Sequence, residues 1–172
     1  MGNNRVSIEL VPFSEIHITK EYIGWLNDRN LMQYSEQRHK IHTERTCTDY
    51  YLSFHGSPNL LYAVLNEEKV HVGNINAYVD PINKIADIGI IIGITGCGYG
   101  YLAWDQMIKI LFSEYRLRKV TAGAMEINKP MIRVFIKSGM KYEYKKVKNF
   151  LFKNQQIDLV GYSIFNSEII ED

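Results

Sequence analysis

Between residues 60 and 94 three apolar runs follow one another with almost nothing between them: LLYAVL (60–65), VHVGNINAYV (70–79) and ADIGIIIGI (86–94). Each is rich in Ile, Val or Leu and reads as a strand. The connections NEEK (66–69) and DPIN (80–83) have the composition of tight turns. Turns this short favour an antiparallel meander. That meander narrows the fold more than any other feature of the chain.

The flanking segments are read by the same rules. RVSIEL (5–10) alternates apolar and polar residues and forms a first strand. The spacing predicts helices from Ile16 to Leu26 and from Thr43 to Phe54, the second stopped by Ser57 and Pro58. After a glycine-rich loop, Ala103, Met107, Ile110 and Leu111 mark one face of a helix from about residue 98 to 115. KVTAGAM (119–125) is a further strand. NKPMIRVFIKSG (128–139) is a helix with Asn128 as cap, Pro130 in the first turn and Gly139 at the C′ position. MKYEYKKV (140–147) and IDLVGYSIF (157–165) close the chain as two strands. The expected class is α+β, with a mixed, mostly antiparallel central sheet of about seven strands flanked by helices. No repeat, low-complexity tract or flexible linker divides the chain, so one domain over 1–172 is expected.

Composition excludes several functions. Twenty Lys and Arg against 19 Asp and Glu leave a net charge of +1, which offers no whole-protein attraction for nucleic acid or an anionic membrane. The one basic cluster, KYEYKKVK (141–148), alternates like a strand with a solvated face. No apolar run approaches the roughly 18 residues that span a bilayer. MGNNRVSIEL has no apolar segment before a cleavage site, and Val6 stands where a myristoylation motif at Gly2 wants Ser or Thr. Two cysteines, Cys47 and Cys97, are too few for a disulfide framework or a cysteine-based zinc site. A cytoplasmic protein without a metal is expected.

Chemistry concentrates in GITGCGYGYLAW (93–104), where four glycines precede the helix. Free N–H groups and the positive end of a helix dipole bind anions, and glycines let an anion approach that backbone. The loop lacks the Gly-Lys-Ser/Thr ending of a Walker loop. It also has Tyr101 where a dinucleotide fingerprint needs its third glycine. A tight strand-to-helix turn collects glycines too. Thr95-Gly96-Cys97-Gly98-Tyr99-Gly100 does resemble the Q/R-x-x-G-x-G/A pyrophosphate loop of the GNAT N-acetyltransferases, with Thr95 replacing the leading Gln or Arg. The resemblance extends from Ala86 to Tyr144, through ADIGIIIG, LRKVTAGAMEIN and KSGMKYE, and is closest to the ribosomal-protein and sugar-modifying branches.

The resemblance implies acetyl-CoA as the donor. Backbone groups of Ile90, Ile91 and Ile92 would bond the pantetheine as an added strand. The N–H groups of the segment Thr95, Gly96, Cys97, Gly98, Tyr99, Gly100 and Tyr101 would hold the pyrophosphate, with Asn128 within reach of the cofactor. Attack of an amine on the thioester needs a base and a group to receive the leaving thiolate. Many members use a Tyr for the latter; Phe135 stands at that position here. Asp87 and Glu126 are the candidate bases, with the strand residue His71 behind them. Cys97 has no basic neighbour in sequence and reads as a loop residue.

The acceptor side is expected in YIGWLNDRNLMQYSEQRHK (22–40), which looks like family members acting on nucleotide-linked amino sugars of surface polysaccharides. Trp25 and Tyr34 would stack on a sugar or base and Arg38 would pair with a phosphate. Equally, Trp25 is the apolar face of a helix. A protein N-terminus, a small amine, and a CoA-binding module without catalysis stand as alternatives. The fold also leaves room for a homodimer by exchange of the last strands.

Overall fold

A computed structural model describes residues 6–168; residues 1–5, and with them Gly2, lie outside the described residues. Its strands are β1 (Ile8–Pro12), β2 (Leu60–Asn66), β3 (His71–Asp80), β4 (Ile85–Ile92), β5 (Lys119–Met125), β6 (Lys141–Phe152) and β7 (Gln155–Phe165). They form one sheet in the order β1-β2-β3-β4-β5-β7-β6. The helices are α1 (Lys20–Asn27), α2 (Glu44–Leu52), α3 (Tyr99–Ser113) and α4 (Lys129–Lys137). The α+β class and the mostly antiparallel seven-stranded sheet are as expected.

Period two divides β4 between two cores. Ala86, Ile88, Ile90 and Ile92 pack on one face with Ala103, Trp104, Met107 and Leu111 of α3, while Ile91 joins Tyr22, Leu26 and Cys47 on the other. A strand covered on both faces becomes a continuous apolar run, which is why ADIGIIIGI shows so little alternation.

Local capping sets the helix ends. Asn128 Oδ1 accepts the Met131 N–H at 3.3 Å, and Gly139 takes φ +85° after α4. Thr43 and Thr46 exchange side-chain-to-backbone bonds of 3.3 and 2.9 Å at the start of α2. The first helix differs from expectation. Ser14 opens a separate 3-10 turn at Glu15–His17, and α1 begins only at Lys20, where Thr19 caps the Tyr22 N–H at 3.2 Å. Two side-chain caps within six residues divide what the apolar spacing reads as one helix.

The pair β4–β5 is the one parallel pair in the sheet and is short. Its register covers Ile85↔Lys119, Ala86↔Val120 and Asp87↔Thr121, and then the strands part. β4 stays bonded to β3 as far as Ile92↔Gly73, and β5 to β7 as far as Met125↔Leu159. The two inner edges beyond Asp87 and Thr121 therefore face each other with their backbone groups free of the sheet.

Candidate active site

Three glycines, Gly93, Gly96 and Gly98, crowd the loop after β4, with Gly100 in the first turn of α3, and they are there for different reasons. Gly96 and Gly98 take φ +87° and +83°, a region in which side chains are strained, and a Cβ at either would meet open space. Gly98 caps α3, and the first helical bond of the turn is Leu102 N–H to Gly98 O at 3.4 Å. The N–H groups ahead of Leu102 have no intrahelical acceptor and point out of the helix end. This is a cradle fit for a pyrophosphate. Gly93 serves another purpose: a Cβ there would fall inside the indole of Trp25. Tyr99 is buried in the core and Tyr101 lies under the Lys137 ammonium at 3.9 Å, so both offer the cradle backbone only. Thr95 and Cys97 are exposed on its rim.

Asp87 stands at the apex where β4 and β5 part. Thr121 Oγ1 donates to its Oδ2 at 2.8 Å. Removal from water pushes the Asp87 carboxyl above the usual carboxylate range, and the Thr121 bond offsets part of that rise. The carboxylate faces a cleft of about 760 Å³ between the sheet and the α1–α2 side, lined by Tyr22, Ile41, Tyr50, Asn76, Tyr78 and Gly89 among others. Tyr78 is the β3 residue opposite Asp87, and its hydroxyl lies 3.5 Å from that of Tyr50. Burial pushes the Tyr50 phenol well up, so its hydroxyl stays protonated at neutral pH. Asn76 leans over Gly89, where a Cβ would sit 3.1 Å from its Oδ1.

Glu126 is elsewhere. It closes a smaller recess beside α4, where Lys145 Nζ bridges it at 3.0 Å and Asp158 at 3.1 Å. His71 is a packed residue. Its ring lies 5.2 Å from His17 and 5.3 Å from Trp25, and its Nε2 is 2.7 Å from Asn74 Oδ1. Phe135 is buried between Trp104 and Tyr162, at 5.3 and 5.2 Å, so its position offers no substitute for a tyrosine hydroxyl.

The segment expected to wall the acceptor side does so through other residues than the ones singled out. Ser35, Glu36 and Gln37 line the cleft. Trp25 packs instead on Gly93 and His71, and Tyr34 on Phe152 at 5.7 Å. Arg38 turns away too. Its Nη1 bonds Ser35 O and Glu36 Oε1, each at 2.8 Å, and its Nη2 reaches Leu151 O at 3.4 Å. The tyrosines that do line the cleft were missed, although the alternation of Asn74, Asn76 and Tyr78 with Ile75, Ala77 and Val79 marks a polar face of β3. Among the described residues no group of three His, Cys, Asp or Glu is arranged to hold a metal, and no helix is long and apolar enough to cross a membrane.

The splayed parallel pair, the glycine turn at the head of α3 and the Asp87 carboxylate at the apex all lie along β4 and the turn that follows it. The family model for the acetyltransferase (GNAT) domain matches residues 7–141, and the chain belongs to that family of acetyltransferases, which draw their acetyl group from acetyl-CoA. Among solved structures it is similar to spermidine N-acetyltransferase from Vibrio cholerae in complex with CoA and spermine, with a TM-score of 0.84 and 18% identity over 94% of this chain and 96% of that one. It is also similar to a GNAT-family acetyltransferase from Bacillus anthracis, with a TM-score of 0.79 and 22% identity over 93% and 95%. RimL, a ribosomal L7/L12 α-N-protein acetyltransferase in complex with CoA, aligns with a TM-score of 0.81 and 15% identity over 92% and 94%. No curated protein matches the chain in sequence.

Proposed function

We propose that the protein transfers the acetyl group of acetyl-CoA to the primary amine of a small, cationic acceptor, with Asp87 as the base. The observation that carries this reading is the Asp87 carboxylate, the acid at the apex of the splay, facing a cleft walled by tyrosines. Tyrosine faces and a carboxylate suit an ammonium group. The free N–H groups from Thr95 to Tyr101 hold the pyrophosphate, and the inner edge of β4 at Ile90, Ile91 and Ile92 pairs with the pantetheine amides. Asn128, the cap at the head of α4, is the further residue we assign to the donor. The pantetheine then runs back along β4 from the cradle and brings the thioester to the apex. There Asp87 takes a proton from the acceptor ammonium, and the amine nitrogen attacks the acetyl carbon.

Two findings favour a small amine over a nucleotide-linked amino sugar. The guanidinium expected to pair with a sugar phosphate, that of Arg38, is engaged by Glu36 and two carbonyls. The cleft lining carries Glu36 and Asp87, which repel a phosphate, against Lys40 alone among Lys and Arg. Glu126, bridged by Lys145, is the weaker base.

The test has two parts. Acetyl-CoA at a hundred times its Kd stabilises the fold by about 2.7 kcal/mol, a rise of roughly 5–10 °C in Tm for a chain of this size. Acetylation of a panel containing linear diamines, a nucleotide amino sugar and a peptide with a free N-terminus is then followed by mass spectrometry. Transfer to the diamines, lost ~100-fold in kcat with Asp87→Asn, supports the reading. Transfer to the nucleotide sugar alone would overturn the acceptor class, and the absence of any thermal shift would overturn the donor site.

A further inference from the structure

With Phe135 buried in the core, the leaving sulfur needs another proton source. The sheet supplies one from the opposite direction. On the cleft face of β5 and β7, the residues next to the apex are Gly123 and Gly161, paired with each other across the two strands. Tyr144 of β6 is the partner of Gly161 on its other side. The ring of Tyr144 lies directly over Gly161: a Cβ there would collide with Cε1, Cζ and Cδ1 of the tyrosine. The hydroxyl-bearing end of the ring thus covers β7 and reaches toward β5 and the opening. Gly161 makes room for the ring of a tyrosine on an outer strand, while over Gly123 the Leu159 side chain lies 3.6 Å from where a Cβ would sit.

We propose that Tyr144 is a catalytic residue of the acetyl transfer, donating its phenolic proton to the departing CoA sulfur. This rests on the acetyl-transfer reading above. As the amine nitrogen bonds the acetyl carbon, the carbon–sulfur bond breaks and its electron pair goes to sulfur. Sulfur takes the proton from Tyr144 Oη, the bonded nitrogen sheds its second proton to water, and the proton that Asp87 drew from the acceptor ammonium returns to the phenolate. One amide and one thiol result, and both side chains recover their starting states.

The surroundings suit a donor that stays protonated. Burial, the Asp87 carboxylate of β4 and Glu143 on its own strand together push the Tyr144 phenol above its ordinary value. The charged groups around it are Asp87 from β4, Lys119 from β5, which is paired with Glu143, and Lys146, whose Nζ is 5.8 Å from the ring centre. Tyr144 also remains 40% exposed, so water can restore the proton between turnovers.

The experiment compares wild type with Tyr144→Phe, which keeps the ring on Gly161 and removes only the hydroxyl. Expected are a kcat lower by ~100-fold, unchanged KM for acetyl-CoA, unchanged Tm with and without CoA, and loss of the alkaline limb of the kcat–pH profile. A Tyr144→Phe enzyme with wild-type kcat and an intact alkaline limb overturns the role of Tyr144 and leaves the transferase reading standing. Equal losses in Tm and in kcat, with the alkaline limb retained, would assign the ring to packing and also overturn it. A wild-type protein that binds acetyl-CoA but acetylates no amine overturns both.

Discussion

At Gly93 the space is filled by an indole. Of the three glycines in the loop, Gly96 and Gly98 answer to backbone conformation, while Gly93 exists because Trp25 lies where its side chain would be. A Gly93→Ala chain must displace either the ring or the end of β4. We expect a loss of about 1–3 kcal/mol in urea unfolding, the range for overpacking a filled site, together with weaker acetyl-CoA binding. An unchanged midpoint would mean that the ring has room to move. Asp87 gives the second expectation at this scale. In its proposed role as base it acts as the anion, so activity rises with pH as the carboxyl ionises, at a pH above its ordinary value of 3.8. In Asp87→Asn the acid limb of the profile disappears, whereas a retained limb would assign that titration to another group. Both sites divide into what a sequence can and cannot show. A run of glycines before a helix is a local signal, and the left-handed turn at Gly96 and Gly98 was legible from it. That one of those glycines faces a tryptophan 68 positions away in the chain is a fact of packing.

Arg38 ties together two elements far apart in the chain. It crosses from the 3-10 turn at Glu36–His39 to the β6–β7 hairpin, bonding Leu151 O and lying 5.9 Å from the Phe152 ring centre. Its side chain is only 12% exposed, against 61% for Glu36, so its bonds to carbonyls matter more than the ion pair. Arg38→Ala should cost about 1–2 kcal/mol of stability and leave acetyl-CoA affinity unchanged. A loss of acetyl-CoA affinity without a loss of stability would return Arg38 to the binding site. Helices and strands were mostly readable because their signals are local. The Asn128 cap and the Gly139 terminus stand beside the elements they end, and Ile and Val runs announce strands. The cleft was less readable. Its walls pair Tyr50 with Tyr78 and Asp87 with Thr121, and these meetings depend on sheet register and helix docking. The break in the first helix escaped apolar spacing because two polar caps, at Ser14 and Thr19, decide it.

Considered whole, the molecule carries a histidine pair in its second core. His17 and His71 lie 5.2 Å apart, and His71 Nδ1 is buried without a hydrogen-bond partner among the described residues. Burial lowers the pKa of both below the ordinary 6.5, and the His71 charge lowers that of His17 further. The unfolded chain therefore binds more protons than the folded one below about pH 6.5, so stability falls as pH drops through that value toward the lowered folded values. Urea midpoints measured between pH 8 and pH 5 should decline on this course, and His71→Gln should flatten the decline. A wild-type midpoint that holds constant would show that the two rings bind protons alike in the folded and unfolded states.

The parting of β4 from β5 has a mechanical side. Strands β1 to β4 form one sub-sheet and β5, β7 and β6 another, joined within the sheet by only three residue pairs at one end of a V. The two halves are held together at the apex and by α3, which packs on β1, β3 and β4 of one and on β5 of the other. In the proposed complex a donor bonded along the inner edge of β4 lies inside that V, so the binding of CoA and the spacing of the two half-sheets are one and the same variable.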